Sequence, residues 1–310
     1  MFASRSIRTY LLAALIALCG ACTATTGKET RNLMTDNAPS TQTEISAPHI
    51  VAANDLKGSV IVTQRGAIKI HTYVSPADSF LVTTQIIEGP SKLIVFDGQA
   101  LKPYAEEVAT YVQRLGKPVD RIILSHGHPD HWAGLEALLE RLPETPVYSL
   151  AGVTSFVRAA GEQMLGNLRK KFGDKVASQV VLPSRVLHTG AQTIDGIGFD
   201  FRELLDGEAS IQLVALMPDQ KVVLAFDLVF APGEHVFTVQ PTFDHWIGIL
   251  DGLKALGGYD TIMIGHGRPT GRAAYDATIA YLQRAKQIHA WSKDAKSYAD
   301  ALKAAFPDRE

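Results

Sequence analysis

The sequence predicts an α/β fold in a single domain, and three observations carry that expectation. Short extended apolar segments near 59–63, 67–74, 80–87 and 92–96 come first, and amphipathic helical patterns alternate with further apolar segments after them. The segment Ser125-His126-Gly127-His128-Pro129-Asp130-His131-Trp132 then sets three imidazoles and a carboxylate just past a short buried strand. Open α/β sheets place their ligands at such strand carboxyl ends. Residues 50–310 are of a size that one such domain fills, and no Pro/Gly-rich linker divides them.

In chain order, Arg65-Gly66, Ser75-Pro76 and Gly89-Pro90 separate the first strands, and Asp97-Gly98 closes the fourth; together these look like a first sheet. Tyr104, Val108, Tyr111, Val112 and Leu115 recur at helical spacing and predict a helix ended by Gly116. Residues 119–124 read as a buried strand leading into the histidine cluster. Asp130 and His131 open a helical pattern that runs through Leu135, Leu138, Leu139 and Leu142. A strand is expected over 147–150, a largely helical stretch over 152–172 and a set of strands over 186–230. Helices over 246–256 and 275–289 flank the last strand before His266. No internal repeat is apparent.

The first residues read as targeting rather than fold. Arg5 and Arg8 supply a positive region, 10–18 an apolar one, and Cys19-Gly20-Ala21-Cys22 a small-residue cleavage site, so 1–22 is expected to be a signal peptide, too short for a transmembrane anchor. Cys22 after Gly-Ala resembles a bacterial lipoprotein box, although Cys19 stands where Leu is usual; the alternative is plain secretion with cleavage near Ala21 or Ala24. Residues 23–49, rich in Thr, Ser, Asn and Ala, read as a flexible tether. The expected location is the periplasm, or the membrane through a lipid on Cys22. Both cysteines lie in the leader, so the domain has no internal disulfide and no thiolate ligand or nucleophile.

Charge is nearly balanced, with 30 basic and 32 acidic residues, and the short run Arg169-Lys170-Lys171 reads as a solvated helix face. Nucleic acid is therefore excluded as a partner, and a small-molecule substrate is expected. His126 and His128, two apart on an extended segment, project to one side and can grip one ion. Pro129 fixes the turn after which Asp130 and His131 can face a second. Imidazole and carboxylate donors suit Zn²⁺ and neighbouring first-row metals, and a cluster without Cys leaves room for an open catalytic position.

His126-x-His128-x-Asp130-His131 resembles the metal signature of the metallo-β-lactamase superfamily, whose fold is an αββα sandwich. The resemblance implies further ligands downstream. Asp227, after Val222-Val-Leu-Ala-Phe226, stands where the family has its bridging aspartate, and His266, after Ile262-Met-Ile-Gly265, where it has its last histidine. Nineteen residues before the bridging aspartate the family normally carries a Gly-His pair; here Asp206-Gly207-Glu208-Ala209 puts Glu208 at that place, and its carboxylate can still ligate. This is similar to the alkylsulfatase branch, which differs in having a bridging Glu and large extra domains.

The implied centre has His126, His128 and Glu208 as a first site, Asp130, His131 and His266 as a second, and Asp227 between them. It would hold two Zn²⁺ ions, with Mn²⁺ or Fe²⁺ as alternatives, and activate a shared water, with Asp130 also in a catalytic role orienting that water or shuttling its proton. The expected function is an exported binuclear hydrolase of an ester, thioester, lactone or related bond. Alkylsulfatase-like and β-lactam hydrolysis are the alternatives within this class. Iron-dependent redox chemistry on the same fold is disfavoured, because the flavodiiron branch carries Glu where His128 stands. A binding lipoprotein without activity is disfavoured because Glu208 is a competent ligand.

The remaining histidines and aromatics are judged separately. His49, His188 and His289 are expected to be structural or exposed, and His71 a satisfied core residue. His235 and His245 could border the cleft. Trp132, Phe243 and Trp246 could wall it, although aromatics at such spacings are more often core.

Overall fold

Along the central strands Ile211–Met217 and Val222–Phe226 burial is nearly continuous, and because successive side chains point to opposite sides, each presents two apolar faces. Along Ile211–Met217, Leu213, Ala215 and Met217 join one core cluster while Val214 and Leu216 join another; along Val222–Phe226, Val222, Leu224 and Phe226 alternate in the same way with Val223 and Ala225. Strands buried on both faces require a layer on either side. The computed structural model describes residues 48–309 except 52, 54, 232, 234, 237 and 239–241. The chain divides into two units, Met1–Gln42 and Thr43–Glu310. The expected signal peptide with Cys22, and the tether up to residue 47, lie outside the described residues.

The first sheet has eight strands in sequential order: β1 (His49–Val51), β2 (Ser59–Arg65), β3 (Ile68–Val74), β4 (Thr83–Glu88), β5 (Leu93–Phe96), β6 (Val119–Ile123), β7 (Val147–Ser149) and β8 (Arg185–Val186). The second has six: β9 (Gly190–Ile194), β10 (Ile197–Leu205), β11 (Ile211–Met217), β12 (Val222–Phe226), β13 (Thr261–Ile264) and β14 (Thr270–Gly271), ordered β14-β13-β12-β11-β10-β9. The helices are α1 (Lys102–Arg114), α2 (Pro129–Trp132), α3 (Leu135–Arg141), α4 (Ala151–Phe172), α5 (Phe243–Ala255), α6 (Ala273–Trp291) and α7 (Ala295–Ala305).

Residues of α1, α3 and α4 share a core with the first sheet, and Leu250 of α5 with Tyr281, Leu282 and Ala285 of α6 covers the far face of the second. Between the sheets Phe96 meets Phe199 and Phe226, with ring centroids 6.4 and 5.8 Å apart. The result is the αββα sandwich. Among the described residues no helix is long and apolar enough to cross a membrane.

The parallel pairs position the chemistry. β5 runs parallel to β6 and β12 parallel to β13, so the carboxyl ends of all four can meet at one end of the sandwich. Asp97 follows β5, the histidine cluster β6, Asp227 β12 and His266 β13; Glu208 sits in the loop between antiparallel β10 and β11. The sheets are stitched together at this end. Thr83 N–H donates to Gly265 O at 2.8 Å, its hydroxyl to Ile264 O at 2.7 Å, and Leu213 N–H to Ser125 O at 2.8 Å.

Several local expectations are corrected. His49 lies in strand β1, so the sheet begins inside the expected tether. The strand expected over 80–87 begins only at Thr83, because Phe80 and Leu81 take left-handed backbone, with φ 62° and 55°, that no strand continues through. The helix expected from Asp130 to Leu142 is two helices. Gly134 separates them because its backbone lies against Gly98 and Gln99, where a Cβ would run into both carbonyl oxygens. Arg169 and Lys171 do more than face solvent: Arg169 caps Ala177 O at 3.0 Å and Ser178 O at 2.5 Å, while Lys171 lies over the Phe80 and Phe172 rings.

Candidate metal centre

The β6 strand delivers Ser125 and His126 fully buried, and Pro129 at the start of α2 turns the chain so that His131 also points inward. All seven expected side chains come together. His126, His128, Glu208 and Asp227 form one group and Asp130, His131, Asp227 and His266 another; within each group every residue offers one ligand atom less than 4.8 Å from the others. Asp227 belongs to both.

In the first group His128 Nδ1 lies 2.9 Å from Glu208 Oε1, and His126 Nε2 lies 3.6 Å from Glu208 Oε2 and 3.8 Å from Asp227 Oδ2. In the second, His266 Nε2 is 3.1 Å and His131 Nε2 3.3 Å from Asp227 Oδ2, and they lie 3.3 and 3.4 Å from Asp130 Oδ2. Phe230 stacks on His266, centroids 5.9 Å apart. Gly265 has to be glycine, since a Cβ there would collide with Asp227 Oδ1.

Partners outside the two groups set which nitrogen each ring presents. His266 Nδ1–H donates to Phe80 O at 2.7 Å and His131 Nδ1–H to Asp97 Oδ2 at 2.9 Å, leaving both Nε2 atoms for the centre. Ser125 Oγ gives its only proton to Asp97 Oδ2 at 2.8 Å, so it accepts from His126 Nδ1–H at 2.9 Å. Asp97 also accepts from Ser125 N–H at 2.8 Å. Sequence reasoning missed Asp97, reading Asp97-Gly98 as a turn. The available signal was an acid closing the strand beside the one that carries the histidines.

These donors fit a pair of metal ions. Among the described residues, His126 Nε2, His131 Nε2 and Asp227 Oδ1 are buried without a hydrogen-bond partner, a costly state that a bound cation relieves. Separations of 3.1–3.4 Å in the second group match the edge of a tetrahedron of ligands, ~3.3 Å when each lies ~2.0–2.1 Å from its ion.

Burial disfavours charge on His131 and His266, but the Asp227 and Asp130 carboxylates outweigh it and hold both pKa values well above the ordinary histidine value. Burial likewise pushes Asp130 and Asp227 up, and the facing histidines overcome it and hold both well below the usual carboxylate range. Burial raises Glu208 to about 7, only partly offset by His128, while burial and the neighbouring His131 depress His126. Metal uptake at pH 7 is therefore expected to expel protons from His131 and His266, and affinity to rise with pH. Calorimetry of zinc binding in buffers of differing ionisation enthalpy measures the release; an uptake of protons would contradict it.

The other candidates lie elsewhere. His71 is a satisfied core residue, 2.8 Å from Tyr111 Oη and 3.0 Å from Glu88. His49, His188 and His289 are exposed, the last in ring contact with Phe243 and Tyr298. His235 bonds Tyr281 Oη at 3.0 Å, and His245 Nδ1–H donates to Asp206 O at 3.2 Å from an exposed position. Trp132, Trp246 and Phe243 are core residues, the indoles donating to Gly127 O at 2.8 Å and Leu228 O at 3.0 Å.

Comparison with known proteins agrees with this geometry. The sequence profile of the metallo-beta-lactamase superfamily matches residues 76–266, a span that holds all seven side chains. The linear primary-alkylsulfatase of Pseudomonas sp. (strain ATCC 19151) is 24% identical over 247 residues, 69% of this chain and 45% of its own length. The hydroxyacylglutathione hydrolase of Brucella ovis is 26% identical over 234 residues, 71% of this chain and 76% of its own. Among solved structures, a metallo-beta-lactamase from Pontibacter korlensis superposes with a TM-score of 0.56 at 18% identity, covering 78% of this chain and 99% of its own. A variant of the sec-alkyl sulfatase PisA1 superposes at 0.51 with 19% identity, covering 72% and 40%. Both structural likenesses concern the fold, and the chain spans less than half the length of the alkylsulfatases it matches.

Proposed function

Since the chain belongs to the metallo-beta-lactamase superfamily, we propose that it is a binuclear, zinc-dependent hydrolase that cleaves an ester or thioester of a small molecule. The observation that carries this reading is the pair of four-residue groups sharing Asp227. Ions held by them would polarise the scissile carbonyl or sulfuryl oxygen and make a water acidic enough to attack near neutral pH.

The protein residues divide the remaining work. His126, His128 and Glu208 hold one ion, Asp130, His131 and His266 the other, and Asp227 spans both. Asp130 has a second task. Its side chain is 19% exposed, against 3% for Asp227 and none for Glu208, so it is the one carboxylate of the centre that can face both ligands and an entering water, orient that water and take its proton. Asp97 keeps the imidazole tautomers fixed through the cycle. A cavity of about 400 Å³ is lined in part by Leu81 and Gly267, the chain neighbours of Phe80 and His266. Lys57 and Arg268 line it without an ion pair among the described residues, which suits a substrate that carries an anionic group.

A second reading, alkyl sulfate hydrolysis, is favoured by Glu208 and by the likeness to the Pseudomonas alkylsulfatase. A panel of acyl ester, thioester, lactone, β-lactam and alkyl sulfate, run on protein of known metal content, separates the two. Ester or thioester turnover that vanishes on chelation is expected; metal-replete protein inert on the whole panel would contradict both. Export belongs to the proposal as well, supported by Arg5, Arg8 and the apolar 10–18 segment ahead of Cys22.

Glu208 adds a third carboxylate where the usual family site has two. The extra negative charge makes the attacking water less acidic, so the rate optimum is expected to lie at more alkaline pH than in all-histidine relatives, with greater tolerance of Mn²⁺. Glu208→His should move the optimum towards acid; a pH–rate profile that does not move would count against the assignment.

A further inference from the structure

We propose that Gln212 is the positioning residue that makes Glu208 a metal ligand, an inference that rests on the binuclear reading above. Gln212 is buried, 2% exposed, at the start of β11. Its side-chain oxygen accepts the Glu208 backbone N–H at 2.9 Å, and its amide nitrogen faces Glu208 Oε2 at 3.5 Å. One amide therefore addresses Glu208 at both ends. An amide alone offers an acceptor for the backbone and a donor for the carboxylate; a carboxylate, hydroxyl or thioether in its place cannot do both from two atoms.

The loop is built around this contact. Asp206 N–H donates to Ser210 O and Gly207 N–H to Ala209 O, closing a tight turn that encloses the Gln212 head, and Thr242 Oγ1–H donates to Gly207 O at 2.9 Å from outside. Gly207 is glycine because a Cβ there would strike the Gln212 side-chain oxygen. The Gln212 backbone pairs with that of His126, so the residue that orients Glu208 is anchored to the histidine facing Glu208 in the first group. A glutamate needs this arrangement. Its longer, freely rotating carboxylate would otherwise be aimed by His126 and His128 alone, and ligand-orienting partners are typically worth ~10–100-fold in metal affinity.

The test measures zinc affinity of each group by chelator competition, with Co²⁺ absorption spectra as a report on ligand geometry. Gln212→Glu keeps an acceptor for the Glu208 N–H and removes the donor; Gln212→Met removes both. Gln212→Glu is expected to weaken the Glu208 group by ~10–100-fold and alter its Co²⁺ spectrum, with the His266 group within about threefold of wild type. In a Glu208→Ala background the same change should cost nothing further, because its only target is gone. Equal losses in both groups, an undiminished loss in the Glu208→Ala background, or wild-type affinity in Gln212→Glu would overturn the proposal. If Gln212→Met fails to fold, Gln212→Glu decides alone. Wild-type protein that takes up no metal would instead overturn the binuclear reading itself, a result read before any variant is made.

Discussion

Asp227→Ala is expected to lower turnover by on the order of 10³-fold or more, equivalent to about 4 kcal/mol of barrier. Among the described residues no other side chain belongs to both groups. Its Oδ2 lies 3.1 Å from His266 Nε2, 3.3 Å from His131 Nε2 and 3.8 Å from His126 Nε2, so its loss takes a ligand from each ion at once. Metal content should fall in both groups together. Loss of a residue serving a single ion would leave the other in place, and that pattern in Asp227→Ala would remove the residue from its bridging position.

The second large effect is expected at Asp97, which touches no ion in the proposed centre. Its carboxylate accepts from Ser125 N–H, Ser125 Oγ–H and His131 Nδ1–H, all within 2.9 Å and all buried. Asp97→Ala leaves His131 buried without that partner and should destabilise the fold by about 3–5 kcal/mol, the range for breaking a buried pair. Asp97→Asn separates folding from chemistry. Asn keeps the shape but can turn an N–H towards His131 Nδ1, which drives the ring proton onto Nε2, the atom that faces Asp130 and Asp227. Melting closer to wild type than that of Asp97→Ala, with metal affinity of the His266 group reduced ~10–100-fold, is the expected outcome. Asp97→Asn with undiminished affinity would show that the ring's tautomer does not matter.

The histidine cluster was legible from its own residues, and the downstream ligands through the family resemblance that the cluster carries. His126, His128, Asp130 and His131 are local in sequence, while Asp227 and His266 each close a run of buried apolar residues. Glu208 was implied only by the resemblance, through the family's nineteen-residue spacing to Asp227, since nothing in Asp-Gly-Glu-Ala marks a ligand. Asp97 and Gln212 were not legible. Asp97 acts on residues 28 and 34 positions away, and Gln212 acts through a turn whose shape depends on Gly207 and on pairing with the opposite sheet.

The fold shows the same division. Apolar runs bounded by turn residues announced the main strands, whereas β1 and β8 have three and two residues and hold their places through pairing alone. The break between α2 and α3 is set by the approach of residues 98–99 to Gly134, which periodicity cannot register. Helix α7 was also missed. Its start is fixed by a capping box between Asp294 and Ser297, and it buries only Leu302 fully, too little apolar surface to stand out in a mixed sequence.

In the proposed centre two metal ions share Asp227, with Glu208 serving only one of them. Element-resolved mass spectrometry of the intact, natively purified chain tests it most directly. Wild-type protein is expected to carry close to two ions per chain and Glu208→Ala close to one, with the remaining ion lost on further change of His266. A single ion in the wild type, or two ions retained in Glu208→Ala, would contradict the claim.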